Sequence, residues 1–169
     1  MEQHADCILS NGEPIGYFFL GAPFGMSSMA VPSSVFQSAD KGREGMVVDY
    51  KAMKRLMPHF TDASRARQTG CLSTFILVET SQENVSAFDG YWQLQRNSPG
   101  GFYIFGGNCS SYASRAFRHA KILTSSIPGM DTPNNLYNQL ARHNGLKTMS
   151  YSGHIGFVQH NGKLAVEIL

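Results

Sequence analysis

The sequence is poor in charged residues and in cysteine, and each shortage excludes a class of protein. Of its 169 residues only 15% are charged, and the net charge of +2 is too small to predict binding to nucleic acid or to an anionic membrane. The three cysteines are too few for a disulfide scaffold and lack the paired spacing of a zinc site. No apolar run approaches the roughly 20 residues of a membrane-spanning helix. We therefore expect no transmembrane segment, no metal and no other cofactor.

The N-terminus also lacks the basic and apolar regions of a secretory signal, since it begins Met1-Glu2-Gln3-His4. We expect a protein that is made in the cytoplasm, or a domain of a longer chain. Hydrophobic residues make up 42% of the sequence, which is typical of a globular protein with a core. Because there are no repeats and no long linker, we expect one domain over residues 1–169.

Turn residues and apolar patterns predict a mixed α+β domain. Asn11-Gly12 and Asn161-Gly162 each lie between apolar runs and predict β-hairpins. Residues 21–45 are rich in Gly, Pro, Ser and Met and are expected to form a long loop or flap. Further strands are expected at 73–78 and 102–105. One helix is expected at 49–57, and three more are expected to begin at Thr80-Ser81-Gln82-Glu83, Cys109 and Asp131-Thr132-Pro133. Together these elements predict helices packed on an antiparallel sheet.

Cys109 is expected to open a helix directly after a short strand and a glycine turn. Apolar residues then recur at helical spacing, from Tyr112 to Ala120. The N-terminus of a helix favours a thiolate over a thiol, and its unpaired N–H groups could hold an oxyanion. This layout is typical of a cysteine hydrolase or acyltransferase. The alternative is a packed, unreactive core cysteine, whereas a phosphate loop is excluded because Gly107 occupies its lysine position.

A cysteine nucleophile needs an imidazole within reach, and two histidines are candidates. His4 and His154 each stand at the start of a predicted hairpin strand, which could hold the ring rigidly over the thiol. His119 lies ten residues after Cys109 on the same helix, about 15 Å away, which is too far. The other histidines are expected at the surface: His59, His143 and His160. No Asp, Asn or Gln stands out on the neighbouring strand as the residue that would orient the imidazole.

The remaining cysteines allow two further alternatives. Cys7 and Cys71 could pair in an oxidising compartment, although three independent thiols are the simpler expectation. His4 and Cys7 could contribute to a zinc site, but no second pair of ligands accompanies them.

Four short segments follow one another in an order typical of one enzyme superfamily. They are His4-Ala5-Asp6-Cys7-Ile8-Leu9 with Gly16-Tyr17-Phe18-Phe19, then Thr80-Ser81-Gln82-Glu83, Asn108-Cys109-Ser110-Ser111-Tyr112-Ala113 and Asp131-Thr132-Pro133-Asn134-Asn135-Leu136-Tyr137. In this order they resemble the papain-like cysteine peptidases and amidases of bacteria, in the circularly permuted branch related to NlpC-type cell-wall peptidases and to lecithin:retinol acyltransferase. In that branch a histidine strand precedes an Asn-Cys pair that opens a helix. Gly153-His154-Ile155-Gly156 resembles instead the histidine strand of the unpermuted NlpC-type enzymes.

The resemblance implies a papain-like α+β fold whose antiparallel sheet packs against the nucleophile helix. It implies Cys109 as the nucleophile and His4 as the base, with His154 as the alternative base. It also implies that Asn108 and the N–H groups of Cys109 and Ser110 support the oxyanion.

The implied activity is that of a cysteine amidase or endopeptidase. Similarity to toxin-like members implies an antibacterial effector that cleaves peptidoglycan peptides, exported by a specialised secretion system such as type VI to act in a target cell or periplasm. A cognate immunity protein would then protect the producing cell. Two alternatives stay open: a lipid acyltransferase or thioesterase of the lecithin:retinol acyltransferase type, and a non-catalytic binding domain. In the first alternative an acyl groove would be lined by Phe24, Met26, Met29 and Phe36.

Overall fold

The computed structural model describes residues 4–19, 43–103 and 106–169. Its strands are β1 (Asp6–Ile8), β2 (Pro14–Phe19), β3 (Arg43–Asp49), β4 (Ser73–Glu79), β5 (Gly101–Phe102), β6 (Lys147–Gly153), β7 (Ile155–His160) and β8 (Lys163–Ile168). Its helices are α1 (Tyr50–Leu56), α2 (Ala63–Gln68), α3 (Gln82–Asn97), α4 (Cys109–His119) and α5 (Pro133–Ala141), with a 3₁₀ turn at Pro58–Phe60. The mixed α+β class is therefore confirmed.

The described strands pair in antiparallel fashion throughout. One sheet has four strands in the order β1-β2-β3-β5, and two smaller sheets pair β4 with β6 and β7 with β8. Both hairpins predicted from Asn-Gly turns are confirmed, since they join β1 to β2 and β7 to β8. In the second turn, Asn161 and Gly162 have φ angles of 50° and 77°, which these two residue types tolerate best.

Several elements differ from the expectation. The flap was expected to extend to residue 45, but β3 already begins at residue 43. The rest of the predicted flap, residues 21–42, lies outside the described residues, and so do the four side chains predicted to line an acyl groove. The polar strand β6 was not predicted at all. At the start of α3 the N-cap is Ser81, which accepts a hydrogen bond from the Asn84 N–H. The cap is therefore Ser81 and not Thr80, and the predicted pairing of Thr80 with Glu83 is wrong.

The helix that begins at Cys109 packs against the four-stranded sheet through stacked aromatic rings. Tyr17 of β2 lies against Tyr112 of α4, with ring centroids 3.5 Å apart. The Tyr17 hydroxyl donates to the carbonyl of Gly100, and Trp92 of α3 is buried in the same cluster. These contacts fix the position of α4 relative to β1 and β2. Among the described helices, none has the length and apolar character needed to cross a membrane.

Candidate active site

The first turn of α4 is built by a capping box around Cys109. The Asn108 side chain accepts a hydrogen bond from the Ser111 N–H at 3.0 Å, and the Ser111 hydroxyl accepts one from the Asn108 N–H at 3.3 Å. The N–H groups of Cys109 and Ser110 form no hydrogen bond to the described residues. They are therefore the donors available to an oxyanion at the end of the helix.

Asp131 ties this turn to the segment that precedes α5. Its backbone carbonyl accepts a hydrogen bond from the Asn108 amide at 2.8 Å, and its carboxylate accepts one from the Ser111 hydroxyl at 2.8 Å. The Asn108 side chain is thus engaged in the cap and in this tether. Its role in supporting an oxyanion, implied by the resemblance, stays a prediction.

His4 stands just before β1 and is bound by a carboxylate of the same strand. Its Nε2 lies 2.8 Å from Asp6 Oδ1, and the two side chains are 6% and 24% exposed. The ring stacks on Phe18 at a centroid distance of 4.2 Å. Its other nitrogen, Nδ1, is buried and has no hydrogen-bond partner among the described residues. Since Asp6 holds Nε2, Nδ1 is the nitrogen left to face the thiol.

Gly16 explains why the Asp6 carboxylate fits beside the sheet. The two residues are directly opposite each other in the register of β1 and β2. A Cβ on Gly16 would overlap Asp6 Oδ1, the same oxygen that bonds His4. The sequence therefore places its smallest residue at the point where the carboxylate approaches the backbone.

Electrostatics favour an ion pair between His4 and Cys109. Burial of Cys109, which is 4% exposed, is the largest influence on its thiol and raises the pKa, but the charge and hydrogen bond of His4, together with Ala5 and Ser110, bring that pKa below its ordinary value of 9.0. Burial is also the largest influence on His4 and lowers its pKa, but the charges and hydrogen bonds of Asp6 and Cys109 together hold that pKa well above 6.5. Each group therefore stabilises the charged form of the other, which favours a thiolate beside an imidazolium.

The segment that leads into β1 acts on the thiol as well. The backbone N–H of Ala5 is turned toward the thiol, and the Ser110 hydroxyl lies 3.9 Å from Cys109 Sγ. Both contacts favour the thiolate and lower the pKa of Cys109 further. The segment just before β1 therefore brings two groups toward the sulfur, an imidazole and a backbone N–H.

The alternative base, His154, occupies a different place. Its Nδ1 lies 2.8 Å from the carbonyl oxygen of Cys71, and its backbone pairs with Leu169 beyond the end of β8. It is not among the groups that shift the pKa of Cys109. Of the two candidate histidines, the structure brings only His4 to the thiol.

All three cysteines are free thiols. Burial and the nearby Asp6 raise the pKa of Cys7 well above its ordinary value, so Cys7 stays neutral, in contrast to Cys109. Within residues 4–19, 43–103 and 106–169, no three His, Cys, Asp or Glu side chains lie together in a group that could hold a metal ion.

Asp6 is the site residue that sequence reasoning missed. The search for an orienting residue looked at the neighbouring strand, whereas Asp6 lies two positions after His4 on the same chain segment. Residues two apart on an extended segment point to the same face, so a carboxylate at this spacing can reach the imidazole. The signal was present in His4-Ala5-Asp6 and was not used.

A cavity of about 920 Å³ opens beside His4 and Asp6. It is bordered by residues 4–10, which include β1, and by residues 72–78, which include most of β4. Apolar side chains from the helices line it as well, among them Phe88, Phe117 and Leu140. This volume is in the range of about 300–1,000 Å³ that ligand sites occupy.

The comparisons with known proteins give no family assignment. No family model, no curated protein sequence and no solved structure matches this chain.

Proposed function

We propose that this protein is a cysteine hydrolase of the papain-like, circularly permuted type, in which Cys109 is the nucleophile, His4 the base and Asp6 the group that orients His4. The observation that carries the proposal is the placement of a carboxylate-bound imidazole beside a cysteine at the first position of a helix. The order of these elements, with the histidine strand first and the cysteine helix later, supports the permuted arrangement.

The site residues suffice for acyl transfer. The Cys109 thiolate attacks a carbonyl carbon, and the N–H groups of Cys109 and Ser110 hold the resulting oxyanion. As the tetrahedral intermediate collapses, the carbon–nitrogen bond breaks and the His4 imidazolium gives its proton to the leaving amine. The neutral imidazole then takes a proton from water, which attacks the thioester. Collapse of the second intermediate releases the acid and restores the thiolate and the imidazolium.

For the substrate we propose an amide bond in a peptide, with peptidoglycan stem peptides as the first to test. This choice follows from the resemblance to toxin-like amidases. It carries with it the proposals of export by a specialised secretion system and of a cognate immunity protein.

A second candidate function keeps the same nucleophile and changes the substrate to a lipid acyl ester. The apolar side chains of the cavity favour it, because they could surround an acyl chain. Hydrolysis of a phospholipid, without cleavage of peptidoglycan, would select this function.

The proposal is tested by trapping the acyl-enzyme with p-nitrophenyl acetate. We expect one acetyl group per chain, located on Cys109 by peptide mass spectrometry, in the wild type and in Cys71→Ala. Cys109→Ala should show no burst of p-nitrophenol, and His4→Ala a burst rate lower by about a hundredfold. His154→Ala is the matched histidine control and should keep the burst.

Two results would overturn the proposal. One is acetylation spread equally over the three cysteines in the wild type. The other is an unchanged burst in His4→Ala together with its loss in His154→Ala. Circular dichroism of each variant checks that the fold is intact. Incubation of active protein with purified peptidoglycan and with phospholipid vesicles then distinguishes the two substrates, by release of new amino groups or of fatty acid.

A further inference from the structure

One face of the two-stranded sheet of β4 and β6 carries four apolar side chains. The register pairs Leu77 with Met149 and Phe75 with Tyr151, and directly paired residues of an antiparallel sheet point to the same face. The Tyr151 hydroxyl lies 3.8 Å from the sulfur of Met149, which agrees with this placement. These four side chains define the outer face of the sheet.

The opposite face of this sheet is the one that packs on the protein. Ile76 and Val78 point to it and pack against the hydrophobic core that includes Trp92. On the same face, the Ser150 hydroxyl accepts a hydrogen bond at 3.1 Å from the hydroxyl of Tyr137 in α5. The outer face is therefore turned away from the core, and three of its four side chains are 41–52% exposed.

A glycine extends the outer face toward the end of β8. Gly153 points to the same side of β6 as Tyr151, and a Cβ on Gly153 would meet Ile168 Cγ2 at 2.9 Å. Because Gly153 has no side chain, Ile168 can lie over this end of the sheet, where it is exposed. Ile168 thus joins the outer face in one apolar surface, and contiguous exposed apolar surfaces are typical of interaction sites.

The other end of the outer face carries one charge of each sign. Glu79 and Lys147 are directly paired in the register and point to the outer face, and Lys147 Nζ lies 2.6 Å from Glu79 Oε2. Both side chains are mostly exposed, so each can meet a further charge. A two-fold axis that runs along the strands, between two such sheets, places β4 of one copy over β6 of the other. Glu79 of each copy then lies over Lys147 of the other, and four charges alternate in sign.

We propose that the outer face of β4 and β6 joins two copies of this chain in a two-fold symmetric dimer. The axis that matches the charges also places Leu77 over Met149 of the second copy, and Phe75 over Tyr151, so apolar side chains meet apolar ones. Sheets pack face to face in this way about 10 Å apart. A partner of another sequence would have to present the same pattern, which this chain already has.

The size of the outer face makes this dimer a weak one. Each strand has seven residues, which span about 23 Å at about 3.3 Å per residue, and the sheet is two strands wide. This is smaller than the interfaces of stable dimers, so we expect a Kd of about 10–100 µM. Sedimentation equilibrium of the full chain over a concentration series measures it.

An apolar residue of the outer face is tested first. Met149→Lys should weaken the dimer by about tenfold or more, because the new charge would face Leu77 of the second copy. Leu94→Lys is the matched control, since Leu94 is an exposed leucine of α3, outside the outer face. It should dimerise as the wild type does.

Charge reversals separate contact between copies from pairing within one chain. Glu79→Lys and Lys147→Glu each place like charges together, both within the chain and across the axis, so each variant alone should dimerise about tenfold more weakly than the wild type. An equimolar mixture of the two keeps the like pair within each chain, but every pair across the axis is then opposite in sign. We expect the mixture to associate about tenfold more tightly than either variant alone.

Three results would overturn the proposal. The first is a wild type that stays monomeric at about 1 mM. The second is a dimer that Met149→Lys weakens no more than Leu94→Lys does, which would place the contact on another surface. The third is a mixture of the two charge variants that associates no more tightly than its components. Circular dichroism of each variant checks that the fold is intact.

Discussion

Replacement of Asp6 by asparagine is expected to lower the pKa of the His4 imidazole by about one unit. The asparagine carbonyl can still accept the hydrogen bond that Nε2 makes at 2.8 Å, so the change removes charge and largely keeps shape. A hydrogen bond to a charged group contributes about 1.5–3 kcal/mol and a neutral one about 0.5–1.5 kcal/mol, so the substitution removes about 1–1.5 kcal/mol, and each pKa unit corresponds to about 1.4 kcal/mol. Asp6 is partly exposed, so the lower half of this range is expected.

The direction of this pKa change follows from the form of His4 that Asp6 stabilises. It favours the imidazolium, which holds the pKa of His4 above its ordinary value, and the imidazolium in turn holds the pKa of Cys109 below its own. Loss of the carboxylate therefore lowers the pKa of His4, so the imidazolium is lost at lower pH. The weaker imidazolium in turn raises the pKa of Cys109, so the thiolate forms at higher pH.

The assay is nuclear magnetic resonance of the histidine rings over a pH series, with His4→Ala used to assign the His4 signals. Asp62→Asn is the matched control, since Asp62 caps α2 and is not among the groups that shift the pKa of His4. Its His4 pKa should equal that of the wild type. A change below about 0.3 units in Asp6→Asn would refute the reasoning, because the carboxylate would then not stabilise the imidazolium.

Three further substitutions test the surroundings of the site. Gly16→Ala should lower the same imidazole pKa as strongly as Asp6→Asn, because the new methyl group displaces the carboxylate; an unchanged titration would contradict this. Tyr17→Phe removes a hydroxyl that donates to a backbone carbonyl, so the free energy of unfolding measured in urea should fall by about 1 kcal/mol. An unchanged urea midpoint of unfolding would contradict this. Asn108→Ala removes the helix cap and should lower the free energy of unfolding in urea by about 1 kcal/mol. Asn108→Ser can still cap the helix and should lower it by less.

Local signals in the sequence were sufficient for the hairpins and for the helix at Cys109. An Asn-Gly pair fixes a tight turn through its own backbone preferences, so both hairpins followed from the turn residues. Asn108 caps the helix through its own side chain, and apolar residues follow at helical spacing. In each case the physical cause lies within a few residues of the element it determines.

The strands that were missed depend on partners far away in the chain. β6 is mostly polar and exposed, and it becomes a strand by pairing with β4, which is far earlier in the sequence. β3 begins with Arg43-Glu44-Gly45, which has weak strand preference, and is held between β2 and β5. The cavity has the same origin, since its lining includes residues 4–10 and 72–78, which are far apart in the sequence.

The candidate site was predicted in part. Cys109 and His4 could be proposed from a helix start and a strand start, but their proximity could not, because it depends on the packing of α4 against β1. The choice between His4 and His154 needed the tertiary structure for the same reason. Asp6 needed only the two-residue period of an extended segment.

The most direct test of the account is the pH dependence of Cys109 alkylation by iodoacetamide, in the wild type and in His4→Ala, followed by mass spectrometry of the Cys109 peptide. The account predicts that the wild-type rate stays high below pH 7, and that at pH 6.5 the rate in His4→Ala is lower by about tenfold or more, since the thiolate has lost its counter-ion. It would be contradicted if both proteins gave one profile that rises near the pKa of about 8.5 of an ordinary thiol. Absence of alkylation at Cys109 in both proteins would contradict it equally, since the thiol would then be a packed core residue.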